Sequence, residues 1–339
     1  MRRTAAYTVM TLLAALLLQG CLVHEWPSPP GTVQVRLILE YDTGMDTTEH
    51  GYGTRAVSIP EGSDIRYIVR AFPLVKGSKA SQECAGEFVF SADASMGYDT
   101  EMTLELPEGD YSIMVWSDLV DDGSTDDRHY NTSDFSAVSL NGDSHPGNTD
   151  ERDAFRGTGE IALRSSIAEK APDTLRLMME RPLAKYEFIA DDLAEFIEKQ
   201  AQQFSEQNGD GAGQSSVNLD DYRVVIYYTG FMPDTYSLFT DKPVDSSTGV
   251  SFETGLTQIS DTEASLGFDY VFVNGQSSAV TVQIGIYGPG GGQVAMTDPI
   301  EVPISRSTHT VMRGGYLLSE ASGGISLNPD FDGDHNLIL

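Results

Sequence analysis

The feature that most constrains the fold is an alternation of apolar and polar residues in short segments. In residues 32–41, the odd-numbered positions from Val33 to Tyr41 are all apolar and share one face of an extended chain. Similar segments, separated by Gly-, Pro- and Asp-rich turns, lie at 65–75, 86–91, 101–106, 110–119, 136–140, 157–163, 175–190, 220–231, 265–273, 279–287, 292–304, 308–318, 324–327 and 336–339. Short strands punctuated in this way predict antiparallel β-sandwiches rather than alternating βαβ units.

The length and the strand pattern together predict two domains. The chain has 339 residues, of which 40% are hydrophobic, so it has enough apolar surface for more than one core. The second half repeats the plan of the first, because residues 223–228 align loosely with residues 66–73. We therefore predict an all-β protein with an N-terminal β-sandwich at 32–172 and a C-terminal β-sandwich at 173–339, in tandem.

One segment has the spacing of a helix instead of a strand. After Asp191 and Asp192, which can cap a helix, the apolar residues recur on one stripe at Leu193, Phe196, Ile197, Ala201 and Phe204. A glycine-rich stretch follows at 209–213. The pattern predicts one short amphipathic helix in the second domain, which packs on a sheet; binding of a partner is the alternative role.

The amino terminus has the character of a lipoprotein signal peptide. Arg2 and Arg3 precede an apolar run of about ten residues, which is too short to span a bilayer. The run ends in Leu18-Gln19-Gly20-Cys21, which looks like a bacterial lipobox. We predict a signal peptide at 1–20, acylation of Cys21 and a proline-rich tether at 21–31; the alternative is an ordinary secretory signal with an incidental cysteine.

Acyl chains on Cys21 would anchor the protein without a transmembrane helix, because each buried CH₂ contributes about 0.8 kcal/mol. Leu22 follows the cysteine where an aspartate would favour the inner membrane in enterobacterial lipoproteins. We therefore expect a lipid anchor in the outer membrane and a body at the cell surface, although the sequence leaves the periplasmic face open. An acylated Cys21 also leaves Cys84 without a partner for an intramolecular disulfide.

The formal charge of −30 excludes whole classes of partner. Nucleic acid binds to proteins whose positive side chains release the counterions of its phosphates. An acidic surface cannot do this, so nucleic acid is not expected as a partner. The same charge argues against attachment to anionic lipid through a basic patch.

No motif in the chain indicates an enzyme. The histidines form neither an HExxH motif nor a tight cluster with cysteine or carboxylates, and no Gly-x-Ser-x-Gly motif occurs. The glycine-rich run 288–292 joins two predicted strands, so it predicts a hairpin turn and not a phosphate-binding loop. We predict no catalytic residue and no cofactor.

Acidic residues between 118 and 127 are the best candidates for a metal site. They are Asp118, Asp121, Asp122, Asp126 and Asp127. Calcium binds six to eight oxygens, so such a loop can supply several of its ligands. The spacing is not that of an EF-hand, and a solvated acidic loop is the first interpretation.

Two further segments carry a family resemblance. The run from Leu104 to Asp118 (LELPEGDYSIMVWSD) and the run from Arg181 to Tyr186 (RPLAKY), together with the lipobox and tether, resemble the fimbrillin-like lipoproteins of Bacteroidales. Within that family the chain is similar to minor-fimbrium anchoring subunits and to relatives of unassigned function. The resemblance implies transthyretin-like Greek-key sandwiches, a role in building, capping or anchoring fimbriae for cell adhesion, and no catalytic residues.

The resemblance also implies two ways of using the first strand. Polymerising subunits lose it to an Arg-specific protease and bind a neighbour's strand by β-strand addition, and Arg55 lies in a loop where such cleavage is expected. An anchor or accessory subunit keeps Cys21 and the strand at 32–41, and we favour this role. A glycan-binding surface lipoprotein is the other alternative, with Tyr98, Tyr130 and Phe135 as exposed loop aromatics that stack on sugars.

Overall fold

The computed structural model describes residues 31–48, 59–75, 79–93, 95, 97–142, 144–164, 172–208 and 217–319. The predicted signal peptide, Cys21, Arg55 and the strands predicted at 324–327 and 336–339 lie outside these ranges. Within them the chain is mostly β, and its single α-helix, α1, spans Leu193–Asn208. None of the described helical residues forms a helix with the length and hydropathy needed to cross a membrane.

The strands follow the predicted alternation, with additional short strands between the predicted ones. In chain order they are β1 (Thr32–Tyr41), β2 (Asp46–Thr47), β3 (Ser63–Val75), β4 (Lys79–Ala80), β5 (Gly86–Asp93), β6 (Thr100–Pro107), β7 (Gly109–Asp121), β8 (Tyr130–Asn131), β9 (Val138–Leu140), β10 (Ala154–Leu163), β11 (Asp173–Met179), β12 (Leu183–Ala190), β13 (Arg223–Tyr228), β14 (Met232–Ser237), β15 (Lys242–Ser247), β16 (Ser251–Gly255), β17 (Thr257–Gln258), β18 (Ala264–Phe272), β19 (Ser277–Tyr287), β20 (Gln293–Met296), β21 (Ile300–Ser305) and β22 (Thr308–Gly314).

The first sandwich packs a three-stranded sheet against a larger one. The order β11-β1-β6 forms the small sheet, and β10-β7-β3 with β4 and β5 beside β3 forms the other. β1 is the central strand of the small sheet, and its residues Val35, Leu37 and Leu39 are fully buried. The predicted apolar face of residues 32–41 is therefore confirmed as a core face.

The strand β11 follows Pro172, where the sequence places the boundary between the two domains. It pairs in parallel with β1, so the small sheet of the first sandwich includes residues up to Met179. Arg181 and Pro182 then separate β11 from β12, which enters the second sandwich. The single extended run predicted at 175–190 is thus two strands in two different sheets, because the proline at 182 interrupts the hydrogen-bonded ladder.

The second sandwich contains the helix. The order β17-β18-β12-β22-β2 forms one sheet, and β16-β13-β19 with β20 and β21 beside β19 forms the other. Leu193 and Phe196 of α1 are fully buried in the core between these strands, and Ile197 packs against it. This confirms the predicted helix and the packing of the first part of its apolar stripe, whereas Ala201 and Phe204 are only half-buried. The Asp192 side chain accepts the backbone N–H groups of Leu317 and Leu318, at 3.2 and 3.0 Å, and so ties the start of the helix to the end of the described chain.

A fifth sheet joins the two halves of the chain. Its order is β15-β14-β9-β8, so two strands come from each half, and β2 of the first half also pairs with β22 of the second. Behind it lies a core that we call the junction core, centred on Trp116, Tyr130, Tyr236 and Phe272. Local sequence pattern carries no information on pairings across about one hundred residues, so this sheet was not predicted. The transthyretin-like topology stays a prediction.

Candidate functional site

A buried arginine is bound to two of the acidic residues predicted as calcium ligands. Arg66 on β3 and Asp118 on β7 are directly opposite each other in the sheet, and their side chains are almost fully buried. Arg66 donates from Nε to Asp118 Oδ1 at 2.8 Å, from Nη2 to Asp118 Oδ2 at 2.7 Å and from Nη1 to Asp127 Oδ1 at 2.8 Å. The Trp116 indole donates to Asp118 Oδ2 at 3.2 Å. The guanidinium group therefore supplies the positive charge between these two carboxylates.

The other three acidic candidates lie on the surface. Asp121, Asp122 and Asp126 are exposed, and Asp121 lies 3.3 Å from the guanidinium of Arg128. Within the ranges that the structure describes, no group of three or more His, Cys, Asp or Glu residues is arranged to hold a metal ion. Calcium at the five aspartates stays the untested alternative to a solvated acidic loop, and Arg66 already binds two of them, Asp118 and Asp127.

A second buried arginine links the two halves. Arg152 lies in the short 3-10 helix Asp150–Arg152, before β10, and binds Asp269 on β18 through Nη1 and Oδ1. Its Nη2 donates to the Tyr270 carbonyl at 2.9 Å. His145 Nε2 donates to the other oxygen of Asp269, Oδ2, at 2.5 Å. We call Arg152, Asp269, His145 and Tyr228 the polar cluster.

The polar cluster keeps Asp269 ionised. Burial alone would raise the pKa of this carboxyl, but the Arg152 charge and the contacts from His145 and Tyr228 outweigh burial and hold the pKa below its usual value. Tyr228 donates its hydroxyl to Asp269 Oδ2 at 2.6 Å and receives the Tyr186 hydroxyl at 2.9 Å. All these side chains are buried, so the cluster is a polar link between the two halves that solvent hardly reaches.

A third buried arginine holds the chain that follows β1. Arg181 is bidentate to Asp153, with N–O distances of 2.7 and 2.9 Å, and both side chains are fully buried. Its remaining N–H groups donate to the carbonyls of Gly44 at 2.9 Å and Thr43 at 3.0 Å. Met45 is then buried in the junction core, and β2 pairs with β22. Residues 42–48, which we call the crossing segment, are fixed between the two halves.

The three loop aromatics predicted as sugar platforms are buried, so that prediction is wrong. Tyr98 is 8% exposed, Phe135 is 1% exposed and Tyr130 is fully buried. Tyr98 packs in the first core, whereas Tyr130 and Phe135 pack in the junction core. The loops of Tyr130 and Phe135 looked exposed because the sequence does not show that strands from both halves meet here. Trp116, by contrast, was not proposed as a platform, and it is fully buried in the junction core.

Two smaller predictions can be compared directly with the structure. Residues Gly288–Gly292 connect β19 to β20, and the Gly288 N–H donates to the Gly292 carbonyl at 2.9 Å, which confirms the hairpin turn. Cys84 is a free, exposed cysteine between β4 and β5.

An open, mixed polar and apolar cleft lies on the surface beside the polar cluster. We call it the junction cleft; it is lined by residues from 139–142, 144–146, 232, 234–235 and 247–251 and has a volume of about 560 Å³. Its walls come from both halves, namely the chain after β9 and the strands β14 to β16. His145 of the polar cluster forms part of the wall, so the buried network and the surface cleft share one residue.

The sequence matches a family model over residues 29–338, nearly the whole chain. The chain belongs to DUF6562, a family of unknown function. Among curated proteins, none matches this sequence.

Several solved structures match this chain at low identity and with TM-scores below 0.5. A candidate polysaccharide-binding protein from Bacteroides thetaiotaomicron is 12% identical with a TM-score of 0.46, over 80% of each chain. The fimbrial anchor protein Mfa2 from Porphyromonas gingivalis is 14% identical with a TM-score of 0.39, over 78% of this chain and 81% of its own. A candidate adhesin from Bacteroides ovatus is 13% identical with a TM-score of 0.41, over 78% and 77%. The similarity is distant and assigns no residue role.

Proposed function

We propose that this protein is a non-enzymatic lipoprotein, acylated on Cys21 and held in the outer membrane at the cell surface, that anchors a fimbrium or assists its assembly. The observation that supports this proposal is the way in which the first strand and the crossing segment are built into both halves of the fold. Fimbrial subunits are the proposed partners, and β-strand addition is the proposed mode of contact.

The first strand contributes to the core of the first sandwich. β1 pairs with β11 over residues 35–41 and with β6 over residues 32–39, and its central inward side chains Val35, Leu37 and Leu39 are fully buried. Removing β1 would expose the backbone edges of both neighbours and leave the core unfilled. The result would be an open groove between β6 and β11. A donor strand fills such a groove in β-strand addition, so the polymerising alternative requires the loss of β1.

The crossing segment argues against that alternative. Cleavage after Arg55 would release β1 together with residues 42–48, which bind far beyond the first sandwich. Arg181 would lose its bonds to the carbonyls of Thr43 and Gly44, Met45 would leave the junction core, and β22 would lose β2. A donor strand that replaced β1 alone would leave these positions empty, and a buried arginine that loses acceptors is costly. This favours an uncut anchor or accessory subunit.

Intact-mass and N-terminal analysis of the protein from its native membrane fraction tests the proposal. We expect a diacylated or triacylated Cys21 on a chain that continues through Arg55. A Cys21→Ala variant should leave the membrane fraction, whereas Cys84→Ala, which removes the other cysteine, should not. A native chain that begins at Ala56 would overturn the anchor function and establish a polymerising subunit.

Co-purification gives the partner test. Shafts pulled down from cells should carry the lipoprotein at a low and constant ratio, as expected of a terminal subunit. Recovery as the repeating subunit of a shaft, or no association with any shaft, would contradict the proposed role.

A further inference from the structure

The junction cleft carries an inference about ligands, independent of how the protein is anchored. Several hydroxyl groups line it without internal partners: the side chains of Ser144, Thr248 and Ser251 form no hydrogen bond with another described residue. Each hydroxyl can donate one hydrogen bond and accept others. A ligand whose own groups both donate and accept is therefore complementary to this wall.

One carboxylate is held in place at the cleft. Asp234 accepts the hydroxyl of Thr235 at Oδ1, at 2.8 Å, and the hydroxyl of Ser247 at Oδ2. Each carboxylate oxygen has more than one acceptor position, so Asp234 keeps capacity for a ligand hydroxyl. Its orientation is set before any ligand binds, which reduces the entropy cost of binding.

The rest of the cleft lining is apolar. Leu140, Pro146, Met232 and Val250 contribute to the same cleft. A pyranose ring has hydroxyl groups at its edge and C–H groups on its faces, so it matches a site that combines these two kinds of surface. A volume of about 560 Å³ lies within the range for small-ligand sites, about 300–1,000 Å³, and suits a mono- or disaccharide.

The cleft wall is rigid where it meets the polar cluster. The His145 ring lies with its centroid 5.8 Å from that of Tyr228 and 5.8 Å from that of Phe252, and its Nε2 is bound to Asp269. Asp269 is in turn fixed by Arg152 from the other half of the chain. The His145 ring is thus held in one orientation in the wall of the cleft without a ligand.

Charge selects among saccharides. No lysine or arginine occurs among the described residues that line the cleft, while Asp234 is acidic and the whole chain has a formal charge of −30. An anionic sugar would be repelled. We propose that the junction cleft binds a neutral mono- or disaccharide. This inference rests on the proposed function only in that a surface protein meets extracellular glycans.

The test is isothermal titration of the mature, full-length protein with lactose, maltose, N-acetyllactosamine and N,N′-diacetylchitobiose. We expect at least one of them to bind, and 3′-sialyllactose to bind at least tenfold more weakly than lactose if lactose is the ligand. Asp234→Asn should weaken binding about tenfold, which corresponds to about 1.4 kcal/mol. Asp245→Asn is the matched control, because Asp245 is exposed on the same hairpin, outside the cleft.

A second variant protects the test against a folding defect in Asp234→Asn. Ser251→Trp places a large side chain at the exposed rim of the cleft and should abolish binding while the unfolding transition stays unchanged. Absence of binding to all four sugars, equal binding by Ser251→Trp, or binding of the cation spermidine in place of the sugars would overturn the inference. None of these outcomes changes the mass of the native chain, so the anchor proposal is tested separately.

Discussion

Two buried arginine–aspartate pairs use the same chemistry at very different distances along the chain. Arg66 and Asp118 face each other on neighbouring strands of one sheet, β3 and β7, within the first half. Arg152 and Asp269 lie 117 residues apart and bind across the contact between the halves. Arg66 has a second carboxylate, Asp127, whereas Arg152 is paired with Asp269 alone among the carboxylates that the structure describes.

The comparison shows that a buried ion pair can have two different structural roles. Burying charges costs free energy that their attraction only partly returns, so such a pair is weak as a source of stability but selective for one arrangement. The Arg66 pair selects the register of two adjacent strands. The Arg152 pair selects the position of one half relative to the other, and it also orients His145 at the junction cleft.

The largest effect is expected from Asp269→Ala. The substitution leaves the Arg152 guanidinium buried without a carboxylate, and we expect the free energy of unfolding to fall by about 3–5 kcal/mol. Urea unfolding followed by tryptophan fluorescence measures the loss, because Trp116 lies in the junction core. Replacing the pair by Arg152→Met with Asp269→Leu should cost clearly less than Asp269→Ala alone. If the double variant and Asp269→Ala lost the same free energy of unfolding, a buried Arg152 without a carboxylate would not be what destabilises Asp269→Ala.

Asp118→Ala should have a smaller effect, about 2 kcal/mol, because Arg66 keeps its hydrogen bond to Asp127 at 2.8 Å. The matched double variant, with Asp127→Ala added, should approach the loss in Asp269→Ala. The comparison fails if Asp118→Ala alone is as destabilising as Asp269→Ala in the same urea titration.

Low pH should remove part of the contribution that the Arg152–Asp269 pair makes to the free energy of unfolding. The pKa of Asp269 is below its unfolded value of about 3.9, so its stabilising contribution is present above about pH 4 and is lost as the pH falls through the folded-state pKa. Wild type should therefore be more stable than Asp269→Asn near pH 6, and the gap should narrow near pH 3. A gap that stays constant over this range would mean that the carboxylate charge contributes nothing.

The smallest effect is expected from an exposed pair of the same type. Arg223 donates to Glu253 at 2.8 Å, but about half of each side chain is exposed. Solvent screens such a pair, so Arg223→Ala should change the free energy of unfolding by less than about 1 kcal/mol. A loss comparable to that in Asp118→Ala would show that burial is not what distinguishes these pairs.

The local sequence pattern is sufficient to predict those elements that a few consecutive residues define. The alternation in β1, the stripe of α1 and the glycine run before β20 each depend on a few consecutive residues, and the structure confirms all three. The same pattern predicts an all-β chain with one short helix, and the described residues are mostly β with one α-helix; the tandem transthyretin-like topology stays a prediction.

The sequence does not predict the buried arginine–aspartate pairs or the junction cleft, because both depend on contacts between distant segments. Arg66 stands in an apolar strand, between Ile65 and Tyr67, and this position is the one signal in the sequence that a buried partner exists. Nothing local marks Arg152 or its partner Asp269. Tyr130 and Phe135 were misjudged for the same reason, since strands from both halves cover them.

The central position of β1 has a mechanical consequence. A pull applied from the amino-terminal side, through the residues before Thr32, runs along the strand axis of β1. Its hydrogen bonds to β6 on one side and β11 on the other are then sheared together instead of being opened one after another. A protein tethered at this end would resist detachment by tension with two whole ladders of bonds, in the geometry that yields least readily to force.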